Sequence, residues 1–395
     1  MPVSMSIIMV STSRRSRSCA GRGFPASPQI RIEKIMIIKN ISFEKYNLKL
    51  AEPFTYFTAK LETLHYALIK IESQSGFVGF GEAGIAWDVT GETQEGALGL
   101  LKYIKPILIG KKFTNIQTIE KLMDELNLYI YDNSSLKAGI EMALLDLLGK
   151  YKKQPVWKLL GGKPLEFVTA QQVFTYNDLN SQEFNLELEH AFKDEAKIIK
   201  LKFGQDINKE LAKVEELVRK YPKIKLVFDI NQGWKDVKTA LPIIKKLEKF
   251  HKNIAWIEQP IFHADFEGLS ILKKKSKLKI MADESCHDLK DLKNLYFRKS
   301  VDLVNIKLAK TGGIFEALRM IEFCEKNKIK YMLGDMIHSQ LGTAANLNLA
   351  TLGNFASFDL TKPETIKNDP FSGLKVEHYR FFVPQQPGMG VKPRN

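Results

Sequence analysis

The stretch "IIKLKFG", residues 198–204, sets two lysines, Lys200 and Lys202, two positions apart in an otherwise apolar run. A β-strand turns successive side chains to opposite faces, so both ammonium groups point the same way. Their neighbours Ile198, Ile199, Leu201 and Phe203 read as interior. A buried lysine is costly unless it is paired or its charge is suppressed. The run therefore asks for a fold in which one face of a buried strand ends in a polar cavity.

Outward from this run, strand-like and helix-like segments alternate. Apolar runs stand at "VTAQQVF" (168–174), "IIKLKF" (198–203), "KLVFDI" (225–230), "IAWIEQP" (254–260), "LKIMADE" (278–284), "LVNIKL" (303–308), "KYMLGDM" (330–336) and "FASFDL" (355–360). Amphipathic lengths such as "NKELAKVEELVRKY" and "IFEALRMIEFCEKN" lie between most of them. Eight strands, each about one βα unit from the next, predict a modified (β/α)8 TIM-type barrel over residues 166–364. The competing fold, a doubly wound sheet, lacks a Gly-rich dinucleotide fingerprint after the first strand.

Ahead of the barrel the grammar differs. "MIIKNISFEKYNLKL" and "HYALIKIESQSGFVGFGEA" are period-2 runs, followed by helical patterns in "EGALGLLKYIKPIL" and "SLKAGIEMALLDLLGKYKK". These predict an α+β capping domain over residues 36–165, completed by the C-terminal segment 365–395.

The chain has 395 residues and a net charge of +14. Residues 1–35 hold five arginines and Lys34 against the single acid Glu33, whereas the other 360 residues hold five arginines in all. The "STSRRSRSCAGRG" segment resembles a transit peptide in composition. A non-native leader or an over-long start, with Met36 as the true beginning, is the preferred reading, and the segment is expected to be disordered or non-native. The remaining positive charge is spread over runs such as "LKKKSKLK", which read as solvated helix faces. No basic patch interleaved with aromatic residues argues for nucleic acid, and no long uncharged apolar run argues for a membrane. Three scattered cysteines give no disulfide framework, so a cytoplasmic setting is expected.

Lys202, Asp229, Glu258, Asp283 and Lys307 each end one of the predicted strands, at intervals of 27, 29, 25 and 24 residues. In a (β/α) barrel such ends form one rim, where active sites lie. An oxygen triad from Asp229, Glu258 and Asp283 suits a hard divalent cation, and no Cys or His cluster competes for a softer one. Any one of these acids could instead be satisfied by a helix N-terminus. Three in phase with the repeat favour a site. Lys200 and Lys202 could likewise pair with acids of adjacent strands, although that leaves the position of Lys307 unexplained.

At these residues the chain resembles the enolase superfamily, and within it the muconate-lactonizing subgroup with its dipeptide epimerases. The resemblance runs through "GFGEA", "GIEMALLDLLGK", "PVWKLLGG", "KLKFG", "FDINQGW", "WIEQP", "ADES", "NIKLAKTGGI" and "PGMGV", nearly everything after residue 36. It implies Mg²⁺ held by Asp229, Glu258 and Asp283, with Lys202 and Lys307 as acid/base lysines on the two faces of the substrate. It implies that Lys200 holds the substrate carboxylate, with Asn231 and Glu284 supporting the metal site; ordinary strand-end hydrogen bonding is nearly as good an account of those two. The implied reaction is a 1,1-proton transfer at the carbon α to a carboxylate, through an enolate.

The implied substrate is a dipeptide, with L-Ala-D/L-Glu as the first to try, and the implied assembly a homo-oligomer. Dipeptide epimerases of this subgroup carry Asp-x-Asp at the last strand to hold the substrate ammonium. Here "FDLTKP" keeps Asp359 and has Thr361 in the second place. Asp359 as a simple cap of the following turn is the plain alternative. The specificity loop is expected at "EPFTYFTAKLET". Its Lys60 would reach a distal substrate carboxylate or, as the favoured reading, be solvated, while Phe54, Tyr56 and Phe57 would suit apolar side chains. Relatives often have Glu where His338 stands. A His there resembles the mandelate-racemase-like branch, which needs an Asp at position 307, so His338 is expected to be a hydrogen-bonded strand residue. The role of Asp335 stays open. Other enzymes of the subgroup (cycloisomerase, o-succinylbenzoate synthase, N-acylamino-acid racemase) and a catalytically silent binding barrel are the alternatives.

Overall fold

The structure is a computed structural model that describes residues 35–57, 59–175, 184–193, 196 and 198–394. The extension expected at residues 1–35 lies outside the described residues except for Ile35.

Strands β1 (Met36–Thr55), β2 (Lys60–Ser73) and β3 (Val78–Ala83) form an antiparallel sheet in the order β3-β2-β1, with the short strand Lys112–Phe113 beyond β1. Helix α1 (Ser134–Lys152) lies against this sheet and is buried on nearly every face. An all-round apolar helix is one covered on both sides. Its contact with β3 is backbone to backbone: a Cβ at Gly81 would stand 1.8 Å from the Gly139 carbonyl oxygen, and one at Gly79 2.0 Å from that of Ala143. The glycines of "GFGEA" and "GIEMA" are therefore explained by close approach.

The buried acids of α1 fasten the layers. Glu141 accepts the backbone N–H groups of Ile314 and Phe315 at the start of the helix Ile314–Asn327. Asp146 accepts those of Phe80 and Met389, both at 2.9 Å, tying the sheet to the C-terminal segment.

Seven parallel strands follow: β4 (Gln172–Phe174), β5 (Ile199–Lys202), β6 (Leu226–Asp229), β7 (Ile254–Glu258), β8 (Ile280–Ala282), β9 (Leu303–Ile306) and β10 (Lys330–Leu333). They pair strictly in sequence order. The eighth run, "FASFDL", is a single parallel bridge between Leu333 and Phe358. Asp359 N donates to the Leu333 carbonyl at 2.8 Å, and Gln171 N donates to that of Phe358 at 2.9 Å. The last run thus touches both the seventh strand and the entry to the first, and the barrel closes.

The first run departs from expectation. "VTAQQVF" is two short strands, because its first half, Phe167–Thr169, pairs antiparallel with Arg380–Phe382 and only its second half joins the barrel. A change of partner at Ala170–Gln171 splits a run that periodicity alone reads as one.

Period-2 alternation sorts the barrel residues. Leu226 and Phe228, Ile257, Ile280, Val304 and Ile306 face outward into the large core under the helices. Val227, Trp256, Met281, Leu303 and Met332 face inward and form a separate apolar plug, with Ile198 packed on it. Two residues further along the same inward face come Lys200, Asp229, Glu258, Asp283 and Asn305. The plug seals the barrel floor, and the charged layer stands on it.

Candidate active site

The rim side chains are buried and crowded together. Lys200 Nζ lies 2.9 Å from Asp229 Oδ2, 2.9 Å from Glu258 Oε2 and 3.2 Å from Asp359 Oδ2. Lys202 Nζ meets Asp229 Oδ2 and Asn231 Oδ1, each at 2.8 Å. Lys307 Nζ lies 2.7 Å from Asp283 Oδ2. Asn231 leaves β6 in the left-handed region, φ 42°, which Asn tolerates, and its Nδ2 donates to Glu284 Oε1 at 3.2 Å. The structure therefore brings together Lys200, Lys202, Asp229, Asn231, Glu258, Asp283, Glu284, Lys307 and Asp359.

The protonation states follow from this packing. Burial pushes the Asp229 carboxyl up, but Lys200 and Lys202 outweigh it and bring it down to about 2. Asp283 is held well below the usual carboxylate range, Lys307 and Lys310 overcoming its burial. Glu258 is pushed up to about 8 by burial and then by the Asp229 charge. Glu284 rises to about 7 through burial and Asp283. For Lys200 and Lys307 burial works against the ammonium, yet the carboxylates around each raise its pKa above the ordinary lysine range.

Each of the three acids has one oxygen held by a fixed donor. Asp229 Oδ1 accepts from Asn231 N at 3.2 Å, Glu258 Oε1 from Asn305 Nδ2 at 2.9 Å and Asp283 Oδ1 from Lys310 Nζ at 2.5 Å. The second oxygens face the lysines. Lys200 approaches Glu258 Oε2 within ion-pair distance but off the hydrogen-bond direction, and that oxygen is buried with no hydrogen bond. Among the described residues no three His, Cys, Asp or Glu stand at ready chelating spacing, and ammonium groups fill the space between the acids. The donor set still fits a hard cation. It offers three carboxylates on adjacent strands, one of them with an orphaned buried oxygen, where positive charge already gathers.

Sequence reasoning missed Asn305, Lys310 and Glu82. Asn305 was legible, since it precedes Lys307 by two and shares its inward face. Lys310 lies in the short helix Leu308–Thr311, where strand phase gives no signal. Glu82 of "GFGEA" pairs with His338: Nδ1 lies 2.6 Å from Glu82 Oε1, and Nε2 lies 3.3 Å from Asp335 Oδ1. His338 is hydrogen-bonded as expected, but it stands in the loop after β10, which ends at Leu333, and not on a strand. That loop holds Ile337 at φ 60°, an outlier for a β-branched residue, fixed by the paired Asp335 and His338 on either side.

Thr361 lies beside the same loop. Its N and Oγ1 donate to Asp335 Oδ2 at 2.7 and 2.6 Å, and His338 N donates to Thr361 Oγ1 at 3.1 Å. Above Lys202 stand the rings of Phe54 and Tyr56, with centroids 5.7 and 5.6 Å from Nζ. Lys60 is not part of this group; it pairs with Glu62 at 3.2 Å on the exposed surface.

A two-domain architecture with a charged barrel rim under a capping sheet defines a class, and comparison with known families names it. Residues 39–161 match the mandelate racemase / muconate lactonizing enzyme N-terminal domain, and residues 184–395 match the enolase C-terminal domain-like family. The chain belongs to this family, in the enolase superfamily. Among curated relatives, the hydrophobic dipeptide epimerase of Enterococcus faecalis V583 is 33% identical over 86% of this chain and 94% of its own length. The crystal structure of a dipeptide epimerase from Enterococcus faecalis V583 with Mg and the dipeptide L-Leu-L-Tyr superimposes with a TM-score of 0.80 at 30% identity, covering 90% of this chain and 99% of that one. The N-succinyl Arg/Lys racemase of Bacillus cereus ATCC 14579 gives a TM-score of 0.84 at 28% identity, covering 91% and 96%. The chain is an isomerase. No helix among the described residues is long and apolar enough to cross a membrane.

Proposed function

We propose that the protein is a Mg²⁺-dependent dipeptide epimerase acting by 1,1-proton transfer α to a carboxylate. The observation that carries this reading is the placement of Lys202 and Lys307. They end the second and sixth strands of an eight-position barrel, which lie opposite each other across the mouth. One ammonium meets Asp229 and the other Asp283, with Glu258 between those acids in strand order.

Asp229, Glu258 and Asp283 would hold the cation. When bound, it supplies positive charge that makes the carbon next to a bound carboxylate more acidic. Lys200 neutralises negative charge growing on that carboxylate as the proton leaves. One of the two opposed lysines would remove the α-proton from its face as the neutral amine, a state open to it once Asp229 and Asp283, the carboxylates that Lys202 and Lys307 face, share their charge with the cation; the other would deliver a proton to the opposite face, which inverts the centre. Asn231 orients Lys202 from one side, and the Phe54 and Tyr56 rings cover it from the other, keeping water from the exchanging proton.

Two features support a dipeptide with an apolar side chain. Asp359 ends the last run with its carboxylate beside Lys200 and is the acid available for an α-ammonium, whereas both oxygens of Asp335 on the neighbouring run are taken by Thr361, His338 and Met336 N. The roof over Lys202 is aromatic, and Lys60 is engaged at the surface. Incubation with a set of L,L-dipeptides and Mg²⁺ in deuterated water tests the reading by NMR. The C-terminal α-proton should exchange and the diastereomer should appear, fastest for apolar C-terminal residues. Turnover of N-acylated amino acids in preference to every dipeptide would replace it with a racemase reading. The buried free thiols Cys286 and Cys324 support a cytoplasmic setting.

A further inference from the structure

We infer that Lys310 and Asn305 are positioning residues that make the acid triad monodentate and thereby set which divalent cation the site accepts. The inference rests on the metal reading given above and deepens it.

Lys310 differs from the other three lysines. Its side chain is 0% exposed. Its ammonium donates to Asp283 Oδ1 and to the Asp283 carbonyl, both at 2.5 Å, and to the Asn305 carbonyl at 3.0 Å. Three donors meet three acceptors, so the group is saturated and fixed. Lys200, Lys202 and Lys307 instead bear on the oxygens that face the cavity. A buried ammonium cannot leave its carboxylate without stranding both charges, so Asp283 Oδ1 stays committed to Lys310 and only Oδ2, which meets Lys307, faces the cavity.

Asn305 does the same for Glu258. Its Nδ2 takes Oε1, and Oε2 is left without a hydrogen bond. The amide is held from behind by bare backbone: a Cβ on Gly334 would stand 2.1 Å from Asn305 Oδ1. Asp229 Oδ1 is taken by Asn231 N. The triad therefore presents Asp229 Oδ2, Glu258 Oε2 and Asp283 Oδ2, one oxygen each. Mg²⁺ demands near-octahedral geometry and keeps several waters, whereas Ca²⁺ takes a larger shell, often with bidentate carboxylates. Three single oxygens favour Mg²⁺, and releasing a second oxygen favours Ca²⁺.

The test begins with the wild-type protein. Mn²⁺ is loaded and its water ligands are counted by pulsed EPR in deuterated water. Three carboxylate oxygens leave about three positions to water in an octahedron. In parallel, Mg²⁺ and Ca²⁺ affinities are measured by calorimetry for the wild type, K310M and N305A. Each variant frees one oxygen, so in each the Mg²⁺ to Ca²⁺ affinity ratio should fall, with Mg²⁺ itself weakened about 10–100-fold. A ratio that stays constant in the folded variants overturns the inference, as does a water count of one or two in the wild type. The water count decides the matter if neither variant folds. If the wild type binds no divalent cation at all, the metal reading fails, and that outcome is separate from cation binding with an unchanged ratio.

Discussion

His338 Nδ1 lies 2.6 Å from Glu82 Oε1, so a side chain of the barrel mouth is paired with one from the capping sheet 256 residues earlier. The same imidazole faces Asp335 through Nε2. Burial alone would lower its pKa, but Asp335 and Glu82 outweigh it and raise it above 6.5. The stabilisation from this pairing is full below the unfolded-state value and is lost as pH rises through the raised folded-state value. The wild type should therefore lose thermal stability relative to H338Q as pH increases above 6.5, measured by melting temperature across a pH series. H338A should cost about 3–5 kcal/mol, because it strands a buried carboxylate. A melting difference that does not change with pH would show that folding does not raise the pKa of the imidazole.

Lys202 and Lys307 should each serve one stereoisomer. K202A and K307A should each lose epimerisation by about 10²–10⁴-fold, the usual scale for an acid/base residue. Each should still exchange the α-proton of the isomer whose hydrogen faces the surviving lysine. Deuterium incorporation followed separately for the two diastereomers is the measurement. Normal epimerisation by K307A would leave Lys202 as the single base.

Asp359 should act on binding of the free ammonium. D359N should raise KM for dipeptides by about 10–100-fold, the scale of a lost hydrogen bond to a charged group. An N-acetylated dipeptide should be a poor substrate for the wild type and no worse for D359N. An unchanged KM in D359N would place the ammonium elsewhere.

Removal of divalent cations should abolish turnover, and Mg²⁺ should restore it. Because the ligand binds the native state, added Mg²⁺ should also raise the melting temperature in proportion to the logarithm of its concentration. D283N should lose both effects. Full activity after exhaustive chelation would remove the metal from the mechanism.

Gly81 should tolerate no side chain. With the Gly139 carbonyl 1.8 Å from an added Cβ, G81A must push α1 off the sheet. Overpacking of this kind costs about 1–3 kcal/mol or more, readable in a urea titration. G76A, at a turn with open space but φ 87°, should cost less and through backbone strain alone.

Much of the fold was legible because its signals are local. Strand phase put Val227 and Asp229, or Met281 and Asp283, on one face, and the βα repeat put the charged ends in one layer. The first barrel run misled, since "VTAQQVF" keeps its apolar character while changing partner at Ala170–Gln171. The last run also reads longer than it is, because its strand character is confined to the bridge at Phe358.

The sequence by itself determined the barrel, the cap and the set of charges on the rim. Those follow from periodicities of two residues and of one βα unit, which the covalent chain carries. Only the tertiary structure decided which oxygen of each acid faces the cavity, that Lys310 is bonded to Asp283 while Lys60 lies outside the site, and that Asp335 shares its carboxylate with Thr361 and His338. These depend on how strands tilt around the barrel and how the sheet seats on its mouth. Contacts between groups hundreds of residues apart are fixed by packing and close approach, and no local period encodes them.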